Sequence, residues 1–328
     1  MKNIVEIAVS LSERLSLFGQ TEQSQAVVER ALTANSWFCE SDILMAINAI
    51  RTQMLDPVKL KNWIEAYPTL CEQTPRRIAI IMAGNIPLVG FFDLLCSLAA
   101  GHQSWIKPSS KDRALMEYIV GELLSIEPDI PIYIYDDDLT YDAVIATGGN
   151  EANRYFEARF GSCKRLCRSS RRSIAVITEE TSSEEMRKLS NDIYSYSALG
   201  CRNVATIFAP RGVDILITAR ETHSKYRNNY IQTKAMLSLQ GLCFEDNGSS
   251  VIRRTRELPN TLSTITIWEY DSLEQVREWI DNNDHLLQCI VSCVVEHPRR
   301  VGFGETQHPT LFDYADGVDT MKFLDFNS

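Results

Sequence analysis

The sequence has no surplus of positive charge: 33 Lys and Arg stand against 43 Asp and Glu, a net charge of −10 over 328 residues. That balance excludes a broad basic face for duplex nucleic acid, where neutralised phosphates dominate binding. A targeting pattern is also missing, since the segment from Met1 to Leu15 carries Glu6 and Glu13 and has no apolar core or cleavage site. The longest apolar stretch, Ile78 to Ala100, is interrupted by Gly84, Asn85, Pro87, Gly90 and Asp93. It reads as a strand, a sharp turn and a helix in a protein core, so no membrane partner is expected. The nine cysteines are odd in number and scattered, which excludes a secreted disulfide framework and fits a cytoplasmic protein. There is no GxSxG, HExxH or GxGxxG motif. Cys163 and Cys167 do not pair with Cys289 and Cys293 as zinc ligands, because the second pair lies in an apolar run and structural zinc spacings are tighter. Asp313 to Asp319 lacks the alternating ligands and final Glu of a calcium loop. No metal is expected.

The length suggests about two domains, and 45% hydrophobic with 23% charged residues is the balance of a globular protein. Residues 1–75 read as helical, with Ile4, Ile7, Ala8, Leu11 and Leu15, and again Ile43, Leu44, Ile47 and Ile50, at helical spacing. From Arg76 strands and helices alternate. Arg77 to Ala83 is a buried strand, Gly84 to Pro87 a turn, and Leu88 to Ala100 a helix. Ser104 to Lys107 is a strand, followed by an SSKD segment that caps a helix from Asp112 to Leu124. Ile132 to Tyr135 and Ala143 to Thr147 are strands, the latter running through Gly148-Gly149-Asn150 into a helix over 151–160. Ser173 to Ile177 is a strand, and Ser182 to Tyr196 a helix opening on a Ser182–Glu185 capping box. Val204 to Ala209 is a strand, Asp214 to about Leu239 a long helix, Ser263 to Tyr270 a strand, Leu273 to Asn282 a helix and Leu286 to Val295 a strand. The pattern predicts an α/β protein with mainly parallel sheets. No internal repeat or low-complexity tract is present.

Several residues can carry chemistry. Cys201 follows Gly200 in a loop between a helix and a strand. It reads either as a thiol nucleophile or as a buried structural thiol. Asn85, directly after an apolar strand, can donate to a developing oxyanion or simply form the turn. Lys107 and Ser109 end another strand, where parallel sheets face their ligand crevice. Thr147, Gly148 and Gly149 occupy the same kind of position before a helix N-terminus. Lys164, Arg165, Arg168, Arg171 and Arg172 form a basic cluster, read as a phosphate contact or a solvated loop.

Taken in order, these segments resemble the aldehyde dehydrogenase superfamily. Gly84-Asn85-Ile86-Pro87, Trp105-Ile106-Lys107-Pro108-Ser109-Ser110, Val144 to Gly148, Gly200-Cys201-Arg202-Asn203-Val204 and Asp313 to Thr320 are most similar to acyl-CoA reductases related to the bacterial bioluminescence fatty acid reductase. The resemblance covers about residues 76–324. After the helical N-terminal segment (1–75) read from its spacing, it implies an NADP-binding parallel-sheet domain (76–172), an α/β catalytic domain with a nucleophilic Cys (173–301) and a C-terminal tail (302–328). It further implies NADPH-dependent reduction of a fatty acyl-CoA to an aldehyde through a thioester on Cys201. Asn85 would hold the oxyanion, and Lys107, Ser109, Thr147, Gly148 and Gly149 would bind NADP(H). A homodimer and an acyl-activating ligase partner are implied in the same way. The stretch Leu166 to Ser173 carries no Glu where aldehyde-oxidising relatives keep a hydrolytic base, which favours reduction over aldehyde oxidation. The segment whose Glu would hold the nicotinamide ribose is not recognisable. An aldehyde or semialdehyde dehydrogenase and a non-catalytic acyl- or nucleotide-binding subunit are the alternatives.

Overall fold

The computed structural model describes residues 3–161 and 163–327, and the side chains of all of these except 71, 72, 150 and 151. Met1 and Lys2 of the expected helical segment and Ser328 of the tail thus lie outside the described residues. The chain divides into two compact units, Met1–Ser170 with Thr310–Ser328, and Arg171–Pro309.

The first unit opens with four helices, three of them started by a side chain that satisfies otherwise unpaired backbone N–H groups. In α1 (Ile4–Leu15), Asn3 accepts from the Val5 N–H, and Ile7, Ala8, Leu11 and Leu15 form the buried stripe that the spacing predicts. A Thr21–Ser24 capping box starts α2 (Glu22–Ala34). The helix α3 (Glu40–Ala49) runs on into a π-helical turn, Ile50–Met54. Asp56 caps α4 (Pro57–Glu65), whose first residue is a proline with no N–H to satisfy.

The sheet of this unit follows. Its elements are β1 (Arg77–Ile81), α5 (Phe91–Ala99), β2 (Gln103–Lys107), α6 (Arg113–Ile126), β3 (Ile132–Ile134), β4 (Ala143–Thr147), α7 (Asn150–Arg159) and β5 (Lys164–Arg168). All five strands are parallel, in the order β3-β2-β1-β4-β5. The apolar runs read as buried strands are buried: Ile78, Ala79 and Ile80 in β1, and Ala143 to Ala146 in β4, are at 0% exposure. Chain order reverses direction between β1 and β4, and in such sheets ligands bind beyond the carboxyl ends of the strands at that point. The tail folds into this same unit. Leu311, Tyr314, Met321 and Leu324 join its core with Trp63, whose indole N–H donates to the Tyr314 hydroxyl at 2.7 Å.

Two readings in this unit change. The segment 164–168 is a strand, not a loop: it pairs along β4 at the sheet edge, and its outward Lys164 and Arg165 hide the strand among charges. Helix α5 begins at Phe91, because Leu88 takes a left-handed backbone (φ 56°) that a helix cannot continue through.

The second unit comprises β6 (Arg172–Val176), α8 (Ser183–Tyr194), β7 (Val204–Pro210), α9 (Ser224–Leu239), β8 (Glu245–Asp246), β9 (Val251–Arg254), β10 (Thr264–Tyr270), α10 (Leu273–Asn283), β11 (Leu287–Val291) and β12 (Arg300–Val301). The sheet runs β12-β11-β6-β7-β10-β9-β8, parallel but for the β8–β9 pair. The Ser182–Glu185 capping box is present, with the Ser182 N–H donating to Glu185 Oε2 at 2.8 Å and the Glu185 N–H to Ser182 Oγ at 3.2 Å. The expected helix from 214 starts only at Ser224. Before it, Ile215 and Ile217 are buried while Leu216 is 82% exposed, the alternation of an extended segment. The last long strand stops at Val291, because the Ser292 hydroxyl accepts the N–H groups of Val294 and Val295 and turns the chain.

Candidate active site

In the first unit the register of three adjacent strands gathers the expected cofactor residues. Ile81 of β1 lies opposite Lys107 of β2 and Ala146 of β4, so the turns holding Asn85, Lys107, Ser109 and Thr147 to Gly149 leave the same carboxyl end of the sheet. Asn85 is exposed at the tip of its turn. The turn is pinned from behind. Asn35, buried at the end of α2, donates to the Gly84 carbonyl at 3.0 Å, and the Leu88 N–H donates to Asp112 at 3.0 Å. A Cβ on Gly84 would meet Ser109 Oγ at 2.6 Å, so glycine is what lets these two turns touch. Ser109 is therefore partly spent on packing.

The Lys107 ammonium is half exposed, 4.8 Å from the centre of the Tyr135 ring and 3.8 Å from Asp137, which also binds Arg159 at 2.7 Å. Thr147 and Gly148 are partly exposed and Gly149 is exposed. Gly149 caps α7 without a side-chain hydrogen bond, leaving the helix N-terminus to other acceptors. The side chain of Asn150 lies outside the described residues. An ammonium, a glycine turn and a helix N-terminus at the carboxyl ends of adjacent parallel strands suit an anionic nucleotide.

The basic cluster does not act as one. Arg168 is buried and pairs with Asp93 at 2.5 Å and with Thr320 Oγ1 at 2.9 Å. Lys164 donates to the Asp325 carbonyl at 3.0 Å. In the second unit Arg171 donates to the Leu287 carbonyl at 3.1 Å and Arg172 to that of Pro259. These cations hold the fold together.

Cys201 is a partly exposed residue of the second unit, in the loop entering β7. Between α8 and this loop the backbone takes three successive left-handed residues, Tyr196 (φ 53°), Ser197 (φ 54°) and Ala198 (φ 57°). Such a run costs about 1–2 kcal/mol per residue for L-amino acids, so the surroundings must over-determine it. They do. Asn203, buried, accepts the Gly200 N–H at 2.9 Å and donates its amide to the carbonyls of Asp192, Ile193 and Ser195 at 3.2, 3.2 and 2.9 Å. The Asn203 N–H donates to the Gly200 carbonyl at 3.1 Å, closing a turn around Cys201. Ser173 Oγ donates to the Cys201 carbonyl at 2.9 Å. Arg202 donates to the Thr306 carbonyl at 2.5 Å, and Asp192 in turn accepts from the Thr306 N–H at 3.0 Å and the Gly304 N–H at 2.7 Å. Burial pushes the Asp192 carboxyl up, against the hydrogen bonds that favour its charged form.

Six other thiols are held back by burial. Burial pushes Cys39, Cys96, Cys163, Cys167 and Cys293 above the ordinary thiol range, which depletes the thiolate. Cys289 is 1% exposed within β11. No group of three or more metal-binding side chains occurs among the described residues. No helix among them is long and apolar enough to cross a membrane.

The fold is aldehyde dehydrogenase-like. It is shared with the NAD+ complex of an aldehyde dehydrogenase from Bacillus cereus, which is 14% identical with a TM-score of 0.57 over 86% of this chain and 70% of that one. An oxidoreductase from Marinobacter aquaeolei is 13% identical with a TM-score of 0.61, over 93% of this chain and 79% of that one. Residues 8–226 match the family model of the acyl-CoA reductases (LuxC), and the chain belongs to that family of oxidoreductases. Among curated proteins it is similar to the long-chain acyl-protein thioester reductase of Aliivibrio fischeri, 26% identical over 113 residues, which are 29% of this chain and 24% of that protein. The match thus spans about a quarter of that relative's length.

Proposed function

We propose that the protein reduces a fatty acyl-CoA to the corresponding aldehyde, with release of coenzyme A, through a thioester on Cys201. The observation that carries this reading is the placement of Cys201 on a braced, strained turn inside the span matched to the acyl-CoA reductase family. The Cys201 thiolate forms a bond to the acyl carbonyl carbon. Asn85 and the Cys201 backbone N–H are the proposed donors to the oxyanion. The carbon–sulfur bond to coenzyme A then breaks, and coenzyme A leaves as the thiolate and takes one proton from solvent. A nicotinamide nucleotide, when bound, supplies the hydride that reduces the enzyme thioester to a hemithioacetal. Cys201 then departs as thiolate and frees the aldehyde. Lys107, Ser109 and the Thr147–Gly149 turn are proposed to hold that nucleotide.

The preference for NADPH rests on the family resemblance. The Asp137 carboxylate beside Lys107 opposes a ribose phosphate there, so initial rates with NADPH and NADH decide the point. A homodimer, an acyl-activating ligase partner and a cytoplasmic setting complete the proposal.

The test is mass spectrometry after incubation with an acyl-CoA series in the absence of nucleotide. A stable acyl adduct on Cys201, lost in Cys201→Ala together with nucleotide oxidation, is expected. An adduct on another cysteine, or unchanged oxidation in Cys201→Ala, sinks the mechanism. Asn85→Ala should lower kcat about 10²–10³-fold, the loss of one oxyanion donor. A rise in KM with kcat intact argues against that role.

A further inference from the structure

We infer that Asn203 positions Cys201, its carboxamide tying the end of α8 to the turn that presents the thiol. This deepens the proposed function and rests on it for the role of Cys201.

Both ends of the Asn203 side chain are engaged. Its oxygen accepts the Gly200 N–H, and its amide nitrogen donates among the carbonyls of Asp192, Ile193 and Ser195, which the end of α8 would otherwise leave unbonded. The bond to Ser195 lies immediately before the left-handed residues 196–198, and the bond to Gly200 immediately after Leu199. The side chain therefore clamps the left-handed turn at both ends. Asparagine suits this place by chemistry. Aspartate keeps the acceptor but loses the donors, alanine keeps neither, and a hydroxyl cannot serve both directions at this span.

The consequence for Cys201 follows from one planar bond. The Gly200 carbonyl is fixed by the Asn203 N–H at 3.1 Å. In a planar trans peptide the N–H points opposite to the C=O, so the Cys201 N–H is directed away from the interior of the turn. Ser173 fixes the next carbonyl, that of Cys201. The peptide groups before and after the Cys201 side chain are thus both held, which fixes where its thiol and its proposed oxyanion donor point. An error of about 1 Å in such an arrangement costs on the order of 10²-fold in rate.

The experiment compares wild type, Asn203→Ala and Asn203→Asp in the full-length chain. Iodoacetamide alkylation of Cys201 is measured by peptide mapping against exposed Cys243 in the same sample, alongside steady-state kinetics with hexadecanoyl-CoA. For Asn203→Ala, Cys201 alkylation relative to Cys243 should fall on the order of 10–100-fold. The kcat should fall with it, and KM should stay within about twofold. Asn203→Asp, nearly isosteric, should be slow at neutral pH and recover in acid, where its protonated carboxyl can donate again. That recovery has no counterpart in wild type, and it keeps the question answerable if the alanine variant fails to fold. Wild-type alkylation ratios in both variants would overturn the inference. The alkylation readout needs no substrate, so a wild-type protein that forms no acyl adduct counts against the proposed function and leaves the Asn203 result standing.

Discussion

The Asp112 carboxyl is buried behind the Asn85 turn, and burial pushes it up to about 8, while the Leu88 N–H pulls the other way. Below an ordinary carboxylate value of about 3.8 both folded and unfolded chains keep the proton. Between there and about 8 only the unfolded chain ionises, so stability declines with rising pH across that window and levels off above it. Asp112→Asn removes the ionisation and keeps an acceptor for Leu88. The excess of its urea midpoint over wild type should grow between pH 5 and pH 8; an equal difference at both pH values would assign the dependence to another group. Residues of this kind are the least legible in a sequence. In sequence Asp112 only closes the SSKD segment read as capping α6, yet its carboxyl accepts from Leu88 across the fold and makes no cap bond to its own helix. Cys201 is visible because Gly200 precedes it between a helix and a strand. Asn203, two residues on, gains its meaning from carbonyls of Asp192, Ile193 and Ser195, which no local pattern announces.

Among elements, the contact between the β1 and β2 turns is governed by a single missing side chain. Gly84→Ala would drive a methyl to 2.6 Å from Ser109 Oγ and 2.7 Å from Ser109 Cβ. Overpacking of this kind typically costs about 1–3 kcal/mol. A lowered chemical-denaturation midpoint is expected, with partial recovery on adding Ser109→Gly. No recovery would locate the strain elsewhere. The strands β1, β4 and β7 and helices α1, α6 and α8 are readable from period and caps, since each buries a stripe or run that its spacing dictates. Strand order is not, because pairing of β1 with both β2 and β4 joins residues far apart in the chain. The strand β5 is masked by charge: Arg168 looks like part of a basic surface but is buried against Asp93. The one warning in the sequence is Asp93 itself, an acid inside an apolar helix, which calls for a buried partner.

For the molecule as a whole, the chain leaves the first unit at Ser170 and returns to it at Thr310. Leu311, Tyr314, Met321 and Leu324 are 2%, 7%, 1% and 0% exposed in that unit's core. At about 1.5–3 kcal/mol per buried side chain, their removal forfeits on the order of 6–12 kcal/mol, comparable to a whole domain's stability. A chain ending at Pro309 should lose the cooperative unfolding of the first unit in calorimetry and become sensitive to protease between 1 and 170. Two preserved transitions would show that the returning segment is dispensable. The same connectivity sets a timetable on the ribosome. At about 5–20 residues per second, the second unit is fully synthesised before the last core residues of the first unit exist. The first unit therefore waits on the order of ten seconds or more with its core incomplete. The earlier-made half of the protein is the later one to mature, and that interval is when a chaperone has most to protect.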